Sequence, residues 1–130
     1  MSSTRIELLA SAAQTATAQG SGIAVGNLKE LAITVDVTVA SGTLTPYLQS
    51  SNDGGTTWFD LMAESVCVVT SGVGPGTTGT NVRNIFAGSA TTVMKGYAKY
   101  STFGDYVRAA WIISGAGATF TFGVKAVGKN

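Results

Sequence analysis

Apolar and polar residues alternate with period two along most of this chain, and the alternation predicts strands. From 29 to 39, Leu31, Ile33, Val35, Val37 and Val39 fall on one face, with Ala32, Thr34, Asp36 and Thr38 on the other. A helix cannot bury residues at that spacing. Ser41-Gly42 then reads as a turn and 43–49 as the returning strand. Pro46 has no N–H to donate, so that strand belongs at an edge or is bulged there. Further strands are predicted over 57–62, 65–70, 82–86 and 91–100, the last with Val93, Lys95, Tyr97 and Lys99 on one face. A final pair, 105–114 and 118–127, is joined by Ser114-Gly115-Ala116-Gly117. Val107, Ala109, Trp111 and Ile113 share one side of the first, and Phe120, Phe122, Val124 and Ala126 one side of the second. These rows should meet other strands across a core about 10 Å thick. Arg108, Thr119, Thr121 and Lys125 should then face solvent or a partner.

Two segments depart from this pattern. In residues 4–13, Thr4 and Glu7 have capping-box spacing and Ile6, Leu9, Ala10 and Ala13 share a helical face. The alternation Thr15-Ala16-Thr17-Ala18 that follows favours an extended arm instead. Residues 71–80 hold four Gly and one Pro and are expected to form an irregular loop. About eight short strands, with turn signals every 8–12 residues or so and no long helix, predict an all-β chain. The expected architecture is a single β-sandwich of jelly-roll kind over residues 13–130, preceded by an N-terminal arm over 1–12.

One motif fixes local structure more tightly. Ser51-Asn52-Asp53-Gly54-Gly55-Thr56-Thr57-Trp58 fits S-x-D-x-G-x-T-W, the Asp-box pattern of sialidase-like propellers, without a mismatch. Asp-Gly-Gly supplies the positive φ of a hairpin turn at little steric cost, so Gly54 or Gly55 should adopt it. Propellers carry the box once per blade. A lone copy argues for a β-hairpin and not for a glycosidase.

Composition narrows the chemistry. Charged residues make up 12% of the 130 residues, about half the ~25% of typical domains. Ser and Thr number 30, with 17 Gly and 17 Ala, so hydroxyls and backbone carry much of the solubility. The net charge of +1 arises without any run of like charge, which is no footprint for nucleic acid. Histidine is absent, removing the commonest general base and metal ligand. Cys67 is single, excluding an intrachain disulfide and a thiolate zinc site, and in Val66-Cys67-Val68-Val69 it reads as a buried small hydrophobe.

Seven carboxylates remain: Glu7, Glu30, Asp36, Asp53, Asp60, Glu64 and Asp105. No spacing pairs two of them across a sugar-sized cleft. Asn52, Asp53 and Asp60 lack the spacing of a calcium loop. The glycines of 71–80 are followed by no phosphate-binding Lys, and no G-x-S-x-G elbow occurs. Neither enzyme nor cofactor nor metal is expected. Trp58, Phe59, Tyr97, Tyr100, Phe103 and Tyr106 could form a sugar platform, though aromatic residues of this number more often build a core. At the N-terminus, Glu7 interrupts an apolar run too short for a secretory leader, and no run reaches the ~20 residues of a membrane helix. A soluble chain is expected.

Several segments together resemble small virion proteins of tailed bacteriophages. They are 8–17 (Leu8-Leu9-Ala10-Ser11-Ala12-Ala13-Gln14-Thr15-Ala16-Thr17), Val35-Asp36-Val37-Thr38 with Ser41-Gly42-Thr43, and Leu48 through Trp58. Tyr106-Val107-Arg108-Ala109-Ala110-Trp111 and Phe120-Thr121-Phe122-Gly123-Val124 complete the set, while 62–104 match no such pattern. The resemblance implies a capsid-associated jelly-roll or sandwich of the head decoration (cement) type. It also implies a location in the virion after synthesis in the host cytoplasm, with the major capsid protein and a homotrimer of itself as partners. A tail or head–tail joining protein and a carbohydrate-binding spike module are the alternatives. No catalytic residue transfers. The expected partner contacts are Arg5, Ile6, Leu8 and Leu9 of the arm, and Val73 and Pro75 of the glycine-rich loop. On this expectation residues 1–12 lie nearer a capsid or a neighbouring subunit than their own core.

Overall fold

A computed structural model of the chain describes residues 3–61, 63, 65–68, 76–78, 81–83, 86–88 and 94–130, with backbone alone for 65–68, 76–78, 81–83, 86–88, 94 and 95. Eleven strands occur among them, six only two or three residues long, and no helix. The all-β sandwich expected from the alternation is the fold.

Two strands organise it. β4 (Glu30–Ser51) and β11 (Tyr106–Lys129) form one antiparallel ladder from Ser51 opposite Tyr106 to Glu30 opposite Lys129. Ser41-Gly42 and Ser114-Gly117, expected to reverse the chain, do not. They lie opposite each other within the ladder, where Ser114 pairs with Thr43 and Thr119 with Ser41. Residues 115–118 thus oppose Gly42 alone, a large bulge that bends both strands. Gly42, Gly115 and Gly117 take φ of 101°, 114° and 64°. A bulge needs positive φ as much as a turn does, so Ser-Gly could not distinguish the two.

The bent ladder folds onto itself and makes two layers. Trp111 and Phe122, from opposite arms of β11, meet edge-to-face with ring centroids 5.5 Å apart. Ile33 and Val35 from one arm of β4 line a common cleft with Pro46 and Leu48 from the other. Trp111, Phe120 and Phe122 are buried, as their alternation predicts, and so are Leu31, Ile33, Val35 and Val37. Val39 departs from its row. The register steps from Val37 opposite Phe122 to Val39 opposite Thr121, leaving Thr38 as a bulge residue whose hydroxyl donates to Thr121 O at 3.4 Å. That single extra residue flips the phase, and Ala40 takes the inward place.

Shorter strands flank the ladder. Along β11 lie β1 (Ser3–Gln14) opposite 120–129, β2 (Ala18–Gln19) and β3 (Ile23–Ala24). Along β4 lie β10 (Met94–Tyr100), β9 (Phe86–Gly88) and β5 (Phe59–Asp60), with β6 (Ser65–Val68) outside β10. Pro46 falls between the β9 and β5 pairings, where the missing N–H costs no ladder bond.

Two further expectations are corrected. The segment 71–80 is not wholly irregular: β7 (Gly76–Thr78) pairs with β8 (Asn81–Arg83). Thr77 and Thr78 supply the hydroxyl-bearing β-branched residues a short strand tolerates. Of the expected arm 1–12, the described residues 3–12 do not reach away from their own core either. β1 is an edge strand of the chain's own sheet; Leu8 is buried, and Ile6 and Leu9 pack against the core. The aliphatic side chains that suggested a contact arm find sufficient apolar surface at home.

Candidate functional site

The Asp-box turn joins β4 to β5 and is built on two buried serines. Ser51 is wholly buried at the end of β4. Its hydroxyl donates to Asp53 Oδ1 at 2.7 Å and accepts the N–H groups of Gly55 at 2.9 Å and Asp53 at 3.3 Å. Asp53 Oδ1 also accepts the N–H groups of Thr57 at 2.9 Å and Thr56 at 3.1 Å. Gly54 and Gly55 have φ of 76° and 96°, as the motif predicts. The Thr57 amide, then the Ser51 hydroxyl, hold the Asp53 carboxyl down at about 2. This carboxylate organises a turn; the oxygen that makes these bonds is occupied by the turn itself.

Neighbouring strands lock the turn. Ser50 Oγ donates to Tyr106 O at 3.0 Å and accepts the Gly104 N–H at 2.6 Å. Gly104 passes so close that a Cβ there would run into Asn52 Oδ1 and Ser51 O, so only glycine fits. Trp58 Nε1 donates to Gly55 O at 3.1 Å, and the Arg108 guanidinium lies 4.3 Å from the Trp58 ring centroid. Arg108 Nε donates to Gln49 Oε1, and Gln49 Nε2 to Asp60 Oδ1, both at 2.8 Å. Arg108, expected to face solvent or a partner, instead covers Trp58. One face of the Trp58 ring is thus covered from within the fold. Asp53 and Asp60 each serve a different internal bond, and no group of three His, Cys, Asp or Glu suited to a metal occurs among the described residues. Ser51 and Asp53 were readable from the motif; Ser50, Gly104 and Arg108 were not, because they meet the turn only through the β4–β11 pairing.

Surfaces are the other candidates. Strand pairing gathers Arg5, Lys99, Lys125 and Lys129 onto the outer face of β1, β11, β4 and β10, with Glu7 and Glu30 among them. Lys99 Nζ lies 3.7 Å from Glu30 Oε2, and Tyr97 is 45% exposed on the same face. Of the expected contact residues, Arg5 and Ile6 line an open depression of about 500 Å³ with Glu7, Thr34, Lys125, Ala126 and Val127. Leu8 is buried in the core, and Leu9 is half-buried against it. Val73 and Pro75 lie outside the described residues, as does the side chain of Cys67. A second groove, of about 230 Å³, runs beside the Asp-box turn between Phe59, Leu61 and Phe103. No helix among the described residues is long and apolar enough to cross a membrane.

No family model matches this chain, and no curated protein matches it. Among solved structures the chain is similar to the SPBc2 prophage-derived protein YomS, at 17% identity and a TM-score of 0.49, covering 98% of this chain and 92% of that one.

Proposed function

We propose that this protein is a non-enzymatic structural component of a tailed-phage particle, a decoration protein that stabilises the head by binding between capsomers. The observation that carries the reading is β1, an edge strand whose exposed residues are mostly small or hydroxyl-bearing: Ser3, Thr4, Ala10, Ser11, Ala12 and Ala13. Small, uncharged side chains along this rim, above all at Ala10–Ala13, suit close packing of side chains on a protein shell. The resemblance of the chain's segments to small phage virion proteins supports the same reading. So does the Asp-box turn, whose polar groups are spent on fold and leave little for substrate chemistry. Empty heads incubated with the purified protein and sedimented test the proposal. Saturable co-sedimentation with heads supports a decoration role. Binding to isolated tails or to host polysaccharide, with none to heads, favours the joining-protein or spike-module alternative.

A further inference from the structure

The edge strand β1 is unevenly protected. Beyond Glu7 its register against β11 shifts twice, between Glu7 and Leu9 and between Leu9 and Ala12. Such bulges twist an edge and discourage a further strand from adding to it. Residues 3–7 carry no bulge and pair regularly with Lys129 through Lys125. This regular stretch holds Ser3-Thr4-Arg5-Ile6-Glu7, and its charges are self-complementary.

We infer that Arg5-Ile6-Glu7 is a homotypic docking edge, joining two copies of this chain antiparallel about a two-fold axis at Ile6. That register sets Arg5 of one copy opposite Glu7 of the other, twice, on the exposed face. Opposite charges directly across an antiparallel pair are favourable and like charges are not. An axis at Arg5 would oppose two arginines, and one at Glu7 two glutamates, so the charges select Ile6. Within its own sheet Glu7 faces Lys125, whereas Arg5 faces the uncharged, 36% exposed Val127. No ion pair joins Arg5 to a carboxylate among the described residues. A partner's Glu7 would supply one and would extend the row Lys125–Glu7–Arg5–Val127 across both copies. On the inward face, Ile6 is only partly buried while packed against the core. Meeting its symmetry mate would continue that core across the axis. An interface of this kind is isologous and closes at two copies.

The test uses the full chain with Arg5→Glu and Glu7→Arg, both at exposed positions. Sedimentation equilibrium should give twice the monomer mass for the wild-type protein and the monomer mass for each variant alone. Mixing the two variants in equal amounts should restore the doubled mass, because each then offers the charge the other lacks. A thermal melt of each variant confirms folding; should one be unfolded, Arg5→Gln serves as the weaker-binding substitute and should raise the dimer dissociation constant at least several-fold. A wild-type monomer at all concentrations, a trimer unaffected by Arg5→Glu, or failure of the mixture to pair would each overturn the inference.

Discussion

Replacing Gly42 with alanine strains the bend that makes this fold a sandwich. Gly42 has φ of 101°, a conformation that costs an L-residue about 1–3 kcal/mol. A Cβ there would also stand 2.7 Å from both Ala118 Cβ and Ser114 O. The second of these is backbone, so the bulge over 115–118 must shift and lose part of its register. Overpacking of this kind costs roughly 1–3 kcal/mol more, giving a total of about 2–6 kcal/mol. Gly117 supplies the control: its φ is 64° and nothing lies within 4 Å of an added Cβ. Gly117→Ala should therefore cost only about 1–2 kcal/mol, the left-handed penalty alone. Urea unfolding followed by tryptophan fluorescence reads both, and with a slope of about 1–3 kcal/mol/M the midpoints should separate by roughly 1 M. Equal midpoints for the two variants would mean that Gly42 and Ala118 do not meet, and that 41–42 and 114–117 are ordinary hairpin turns after all.

Phe122→Ala should cost about 3–5 kcal/mol, because a fully buried ring leaves a cavity and Trp111 loses its edge-to-face partner; a loss under about 1 kcal/mol in chemical denaturation would place Phe122 outside the core. The Asp53 carboxyl, depressed to about 2, contributes stability that is fully present above its unfolded value and is lost as pH falls through the folded one. The thermal melts of wild type and Asp53→Asn should thus differ at pH 7 and converge between about pH 4 and 2; a constant difference across that window would deny the turn its ionic contribution. Deleting residues 1–12 removes buried Leu8 and the strand that covers 120–129, so the truncated protein should melt well below wild type and aggregate through the bared β11 edge; an unchanged melting temperature would return these residues to the status of a free arm.

Much of the layered core was legible because period-two alternation is a local property. The rows through Leu31–Val37, through Phe120–Ala126 and the Asp-box turn all follow from spacing and from glycine at positive φ. What escaped depended on pairing between distant segments. Ser41-Gly42 meets Ser114-Gly117 only when β4 and β11 run side by side, and a bulge and a turn share one sequence signature. Val39 lost its place to Ala40 through one extra residue, which no propensity marks. Arg108 covers Trp58, and Gly104 slips beneath Asn52, across about 50 residues of chain. The basic residues, scattered in sequence without a run, collect on one face because strand register places Arg5 and Lys99 in one row and Lys125 in the next.

The proposed decoration of a phage head is tested by a difference map. Electron cryo-microscopy of heads assembled with and without the protein should show added density of this domain's size at junctions between capsomers, repeated with the symmetry of the shell. Identical maps, or extra density confined to the tail or portal, would contradict the account.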